Sequence, residues 1–102
     1  MSNTYKFLGT ISAVYNFADA DENYYITLAV FYNDKMDLKI HYTSLAYNGL
    51  PERPKRGKII LKDMNNDYLI TTFNKNKDTK LRILREFLRN SDLNYYAFDI
   101  VY

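Results

Sequence analysis

Two segments of this 102-residue chain, residues 11–38 and 67–93, share one pattern of apolar, aromatic and turn-forming residues. At a constant offset, and after one deletion for the last pair, the matches are Gly9-Thr10 with Asn65-Asn66, Phe17 with Phe73, Leu28 with Leu84, Phe31 with Phe87, and Asp37-Leu38 with Asp92-Leu93. The pattern predicts a single domain built from an internal repeat, at 4–45 and 58–102, joined by a linker at 46–57. The seam between two similar units would form a groove.

The second repeat predicts two strands, a helix and a third strand. The helix is TKLRILREFLRN, because Leu81, Leu84 and Leu88 recur at spacings of three and four residues and Asp78 can cap the N-terminus. Before it, KIILKDM and DYLITTF flank Asn65-Asn66, a pair that suits a two-residue hairpin turn. After it, LNYYAFDIVY is rich in residues that favour strands.

The same order can be transferred to the first repeat. It then contains a hairpin of residues 4–8 and 11–17 across Gly9-Thr10, a helix at 22–33 and a strand at 37–44. This interpretation predicts an α+β fold of two similar β-β-α-β units related by a pseudo-two-fold axis. Helices would pack on a mostly antiparallel sheet.

Residues 22–33 leave a second interpretation open. As a helix they would be apolar nearly all round, because three positions that are charged in the other repeat hold Ile26, Ala29 and Val30. As a strand, residues 23–32 would pair with 37–44 across Asn33-Asp34-Lys35. The chain would then resemble a small OB-like β-barrel followed by a C-terminal helix, which is the alternative to the favoured fold of two repeated units.

The composition excludes several kinds of catalytic and metal site. The chain has no cysteine and one histidine, His41, so disulfides, thiolate catalysis, cysteine-based zinc sites and multi-histidine metal clusters are excluded. No serine lies in a glycine-flanked elbow, and the glycines are too far apart for a phosphate loop. The acidic residues from Asp19 to Glu22 lack the other ligands of a calcium loop. We expect a protein that is not an enzyme and holds no cofactor and no metal.

Charge is distributed unevenly along the chain. Residues 1–50 hold three basic and five acidic side chains, whereas residues 51–102 hold eleven and seven. A dense basic stretch in the second half consists of Arg53, Lys55, Arg56 and Lys58. With tyrosines nearby to stack on bases, this stretch indicates either nucleic-acid binding or a charged, solvated linker. A second basic group comprises Lys75, Lys77 and Lys80.

The length and composition of the whole chain resemble those of a group of viral proteins. The chain has 102 residues, no cysteine and tyrosine-rich segments such as NYYITLAVFYN and DLNYYAFDIVY. In these respects it resembles the small orphan proteins encoded by filamentous viruses of hyperthermophilic archaea such as Acidianus. The resemblance implies a setting in the host cytoplasm, and it brings no activity, cofactor or site residue with it.

We expect a non-enzymatic viral accessory protein that acts through protein–protein interaction. An extended peptide could add a strand in the groove between the two repeats, where aromatic side chains would select its sequence. The lining residues predicted from their placement are Ile40, Tyr42, Tyr47, Tyr95, Tyr96 and Phe98. The alternative is a single-stranded nucleic-acid-binding protein of OB-like fold, whose contacts would be Arg53, Lys55, Arg56 and Lys58.

Location and assembly follow from what the sequence lacks. The longest apolar-rich stretch, Tyr24 to Tyr32, is too short to cross a bilayer, and the N-terminal residues lack the apolar core of a signal peptide. We therefore expect an intracellular protein that does not bind membranes. Its partner would be a viral or host protein, with nucleic acid as the second choice. It would be a monomer or a small homo-oligomer.

Overall fold

The structure, a computed structural model, describes residues 4–16, 23–47, 55–62, 66–91 and 97–101, with the backbone alone for 15–16, 23–24, 45–47, 55 and 97–101. The elements in this part of the chain are β1 (Lys6–Asn16), β2 (Asn23–Tyr32), β3 (Leu38–Tyr47), β4 (Lys55–Leu61), α1 (Asn66–Thr72), α2 (Lys77–Asn90) and β5 (Ala97–Val101). The strands form one antiparallel sheet in the order β4-β3-β2-β1-β5. The α+β class is therefore confirmed.

Residues 23–32 form β2, so the helix predicted at 22–33 is wrong and the strand interpretation of this segment is confirmed. Ile26, Leu28 and Val30 are buried, whereas the residues between them are exposed or half-buried. This alternation places one set of side chains on each face of a sheet, whereas a helix would group positions three and four residues apart. Along its whole length β2 pairs with β3, close to where the third strand was predicted.

The turn between β2 and β3 lies at the predicted position and is held by Asn33. Its side-chain Oδ1 accepts hydrogen bonds from the amides of Lys35 at 3.0 Å and Asp37 at 2.9 Å. Its carbonyl oxygen accepts one from the amide of Met36 at 3.0 Å. Met36 has a φ of 63°. This angle lies in the left-handed region, which crowds the Cβ of any residue other than glycine.

Replacement of Met36 by glycine is expected to raise the free energy of unfolding by about 0.5–1 kcal/mol, because glycine adopts this φ without the steric penalty. The Met36 side chain is exposed, so its removal loses little packing. Urea unfolding of both proteins measures the difference. Met36→Ala is the matched control, since it removes the same outer atoms but keeps Cβ. An equal gain in the alanine variant would contradict the explanation.

The hairpin predicted across Gly9-Thr10 is wrong, because β1 continues through these residues and pairs with β2 on both sides of them. The second predicted hairpin, which would turn at Asn65-Asn66, is wrong as well. Instead α1 begins at Asn66. Leu69, Ile70 and Phe73 follow at spacings of three, four and seven residues, which place them on one face of a helix.

The start of α1 is fixed by a contact with distant parts of the chain. The Asn66 side chain is buried, and its Nδ2 donates to the carbonyl oxygens of Met36 at 2.7 Å and Leu61 at 3.1 Å. These bonds tie α1 to the β2–β3 turn and to the end of β4. A tertiary contact thus replaces the local turn that the two asparagines favour.

The order of the elements does not repeat along the chain, because four strands precede both helices and β5 follows them. The two predicted β-β-α-β units and their pseudo-two-fold axis are therefore not observed. Within the described residues the sheet is also open, since its edges β4 and β5 pair only with β3 and β1. The alternative OB-like barrel is therefore not observed either. Of the predicted linker, residues 46–47 lie in β3, 55–57 lie in β4, and 48–54 lie outside the described residues.

The predicted C-terminal helix is confirmed as α2, and the strand predicted after it contains β5. Its N-cap is Asn76 rather than Asp78, because the Asn76 Oδ1 accepts from the Asp78 amide at 3.0 Å. Both helices pack on one face of the sheet. The core between them consists of Ile11, Ala13, Ile26, Leu28, Val30, Leu38, Ile40, Leu61, Leu69, Phe73, Ile83, Leu84, Phe87 and Leu88. The other face carries no helix in the described part of the chain.

Candidate functional site

The face of the sheet opposite the helices, here called the open face, is built by alternate residues of β1 to β4. Cross-strand register arranges its central side chains in three rows: Phe7-Phe31-Lys39-Ile60, Thr10-Ala29-His41-Lys58 and Ser12-Thr27-Thr43-Arg56. Neighbours within a row have Cβ atoms about 5 Å apart. Successive rows are about 7 Å apart along each strand. The open face is therefore one continuous surface across four strands.

A β-bulge in β1 determines which aromatic side chain reaches the open face. The register with β2 shifts between Phe7 and Gly9, so the chain gains one residue here. As a result Leu8 packs against the core, and Phe7 lies on the open face with 59% of its surface exposed. In a regular strand, alternation from Thr10 would place Leu8 on the open face and Phe7 in the core.

Three rings form a strip across β1, β2 and β3, here called the aromatic strip: Phe7, Phe31 and His41. The ring centroids of Phe7 and Phe31 are 5.3 Å apart with a 60° interplanar angle, and those of Phe31 and His41 are 5.4 Å apart at 70°. Tilted rings at these distances attract each other beyond their buried area. Phe7 and His41 are exposed and Phe31 is half-buried, so the strip offers aromatic surface to a ligand.

Cations border the aromatic strip without compensating acids. Lys39 follows Phe31 in its row, and its Nζ lies 4.8 Å from the centroid of the Tyr5 ring. Lys58 is the register partner of His41, and Arg56 that of Thr43. The strand segments with described side chains, residues 6–14, 25–32, 38–44 and 56–61, contain no aspartate or glutamate. These three cations also make no ion pair within the described residues. The described part of the open face is therefore electropositive.

The third row adds hydroxyl groups beside the rings and cations. Ser12, Thr27 and Thr43 are consecutive register partners, and the row ends at Arg56 on β4. Ser12 and Thr27 are exposed and Thr43 is half-buried. A hydroxyl group donates one hydrogen bond and accepts others, so this row suits a polar ligand backbone.

The residues predicted to line a peptide groove are not brought together by the described part of the chain. Ile40 is fully buried in the core. The Tyr42 ring packs on Phe87 at a centroid distance of 5.1 Å and covers Gly57, its register partner on β4. Neither side chain is available for a groove on the open face. Tyr95 and Tyr96 lie outside the described residues, and the backbone alone is described for Tyr47 in β3 and Phe98 in β5.

Two of the predicted nucleic-acid contacts lie on the open face. Arg56 and Lys58 are exposed on β4, at the edge of the sheet. Lys55 begins β4 with only its backbone described, and Arg53 lies outside the described residues. Sequence reasoning missed Lys39 and the aromatic strip. The signal that could have found Phe31 is the run of strand-forming residues at 23–32, because alternate residues of a strand lie on one face.

The second basic group lies away from the open face, at the turn between α1 and α2. It lines a cavity of about 130 Å³ formed by Phe73, Asn74, Lys75, Asn76, Lys77 and Lys80. The Lys80 Nζ lies 5.1 Å from the centroid of the Phe73 ring. Because Phe73 is a core residue on the helix side of the sheet, these lysines provide a control for charge effects at the open face.

Within the described ranges, no three histidine, cysteine, aspartate or glutamate side chains are grouped closely enough to hold a metal ion. Neither described helix has both the length and the apolar character needed to cross a bilayer. Comparison with known proteins finds no family model, no curated protein and no solved structure that matches this chain. Functional inference therefore depends on the open face itself.

Proposed function

We propose that this protein binds single-stranded nucleic acid across its open face and does so without catalysis. The observation that supports this most is the aromatic strip bordered by three cations, on strands whose described side chains include no acid. Proteins that hold single strands combine a basic surface for the phosphates with rings on which the bases stack. The open face provides both kinds of contact within two adjacent rows of side chains.

The charge of the open face favours an anionic ligand. Lys39, Arg56 and Lys58 carry positive charge at three places on two neighbouring strands. The like charge would oppose pairing of two open faces in a homodimer, because juxtaposed like charges destabilise an interface. An extended polyanion would be attracted by all three cations at once. Its binding would release counterions, which favours association at low salt.

The exposed rings distinguish a nucleic acid from other polyanions. Stacking requires flat partners, which bases supply and acidic peptides do not. Bases that are paired in a duplex cannot reach the aromatic strip, so the ligand should be a single strand or an unpaired loop. The hydroxyl groups of Ser12, Thr27 and Thr43 would bond to sugar, phosphate or base edges beside the rings.

A peptide in a groove between two repeats has less support as a function. The repeat is not observed, and two of the six lining residues, Ile40 and Tyr42, are engaged with the core. The proposal of a viral source likewise remains a prediction, since no matching protein supports or opposes it.

The proposal is tested by the salt dependence of binding to a fluorescent single-stranded oligonucleotide, measured by anisotropy between about 50 and 200 mM salt. The wild-type protein should bind at low salt and lose affinity as salt rises. The double variant Arg56→Ala, Lys58→Ala should flatten the slope of log K against log salt by about 1.4, since each phosphate contact contributes about 0.7 for a single strand. The matched control is Lys75→Ala, Lys77→Ala, which removes equal charge at the cavity.

The control variant should keep the wild-type slope, because its lysines lie on the helix side of the sheet. Absence of binding at the lowest salt would exclude the proposed function. An equal change of slope in both double variants would show a diffuse charge effect and no defined binding face. Binding of duplex as tight as single strand would leave the aromatic strip without a role.

A further inference from the structure

We propose that nucleic-acid binding at the open face takes up a proton at His41, so that affinity rises as the pH falls. The inference rests on the proposed function, since it concerns the same face and the same ligand. It adds a regulatory property to that face, because the charge that the ligand meets would change with the pH of the medium.

The position of His41 supports the inference. Its side chain is exposed and lies at the β3 end of the aromatic strip, 5.4 Å from Phe31 between ring centroids. The register partners of His41 are Lys58 on β4 and Ala29 on β2. In the neighbouring rows of the same face lie Lys39 and Arg56, with no acid on the described parts of these strands. Among the described strand side chains, the charged groups in the row of His41 and in the two neighbouring rows are therefore all cations.

A bound polyanion would change the charge that surrounds this side chain. A phosphate backbone laid over the same face neutralises the cations and attracts the imidazolium. A group that holds more proton in the complex than in the free protein must strengthen the complex at low pH.

The composition of the chain makes this property easy to isolate. An imidazole ordinarily exchanges its proton between about pH 5 and 8, and no other side chain with an unperturbed environment does so. His41 is the one histidine in the sequence. An oligonucleotide of thymidine keeps the charge of its bases and phosphodiesters throughout this range. A change in affinity that disappears when His41 is replaced would therefore report on this side chain and not on the α-amino group, which also titrates near this range.

The experiment measures the dissociation constant for a thymidine oligonucleotide at fixed low ionic strength between about pH 5.5 and 7.5. Wild-type affinity is expected to be about threefold higher at the low end, within the limit of about fivefold that one phosphate 4–5 Å from a full unit charge gives in a water-like medium. His41→Phe keeps a ring in the strip but cannot titrate, so its profile should be flat. His41→Lys keeps a positive charge at every pH and should also be flat.

A second ligand and a second readout separate this inference from the proposed function. An oligonucleotide with an uncharged backbone should show no pH dependence with the wild-type protein. Calorimetry in buffers of different ionisation enthalpy should show proton uptake with the charged ligand and none with His41→Phe. If the wild-type protein binds at no pH, the proposed function itself is overturned. If it binds with a flat profile, or if His41→Phe keeps the wild-type profile, only the proton linkage is overturned.

Discussion

The double variant Phe7→Ala, Phe31→Ala should bind single-stranded nucleic acid about 100-fold more weakly than the wild-type protein, because base–aromatic stacking contributes about 1–3 kcal/mol per base. Phe7 and Phe31 form the hydrophobic end of the aromatic strip, and their ring centroids are 5.3 Å apart. Phe7 is 59% exposed, so little of the loss would come from a weakened core. Anisotropy titrations at constant low salt measure the effect, and circular dichroism checks the fold.

Tyr68→Ala is the matched control for this result. Tyr68 is also an exposed aromatic residue, 45% accessible, but it lies on α1 at the helix side of the sheet. Its removal should leave affinity unchanged. The chain contains no tryptophan, so Phe31→Trp would place one indole in the strip as a reporter. Stacking of bases should quench its emission. Weakening of binding by Tyr68→Ala equal to that of the double variant would place the ligand elsewhere.

The substitution Gly9→Ala should lower the free energy of unfolding by about 1–3 kcal/mol, the usual range for added atoms in a packed interior. A Cβ at this position would clash with Cε1 of the Phe73 ring. Phe73 is only 1% exposed and is held among core residues, so its ring cannot move aside freely. Either the ring or the backbone of the β-bulge has to shift. Urea unfolding measures the loss of stability.

A double-mutant cycle with Phe73→Leu isolates the cause. The smaller side chain gives the alanine room, so the double variant should be more stable than the sum of the two single effects implies. Thr10→Ala, at the next and exposed position of β1, serves as a control for side-chain change at this strand and should have a small effect. Strict additivity of Gly9→Ala and Phe73→Leu would rule out the steric explanation.

Some of the fold could be predicted from local patterns, and the failures have identifiable physical causes. The apolar stripe of α2 is periodic over three turns, and this helix was predicted correctly. The helix predicted at 22–33 is wrong because Tyr25, Ala29 and Phe31 lie on the open face of a strand although they are apolar or aromatic. A strand with apolar residues on both faces shows no clear alternation, so its pattern can be mistaken for that of a buried helix. The apolar and aromatic residues of the candidate site thus remove the alternation by which β2 could have been predicted as a strand.

The error at α1 has a different origin. The buried Asn66 acts through hydrogen bonds to Met36 and Leu61. The first of these partners is thirty residues away in sequence. A pattern of neighbouring residues cannot indicate such a long-range hydrogen bond, so Asn65-Asn66 was predicted to form a turn. At the candidate site, Arg56 and Lys58 could be found from charge alone. Their proximity to the aromatic strip depends on the register of four strands, which the sequence does not display.

The β-bulge at Leu8 determines how a related sequence without the bulge would align with this chain. Phe7 and Thr10 share a face although three positions separate them, because Leu8 and Gly9 both turn toward the helices. A relative with a regular strand could keep the same two faces by being one residue shorter at this point. In an alignment, such a relative would show a one-residue gap opposite Leu8, with an aromatic residue before the gap and a glycine after it. This feature would help to recognise diverged relatives.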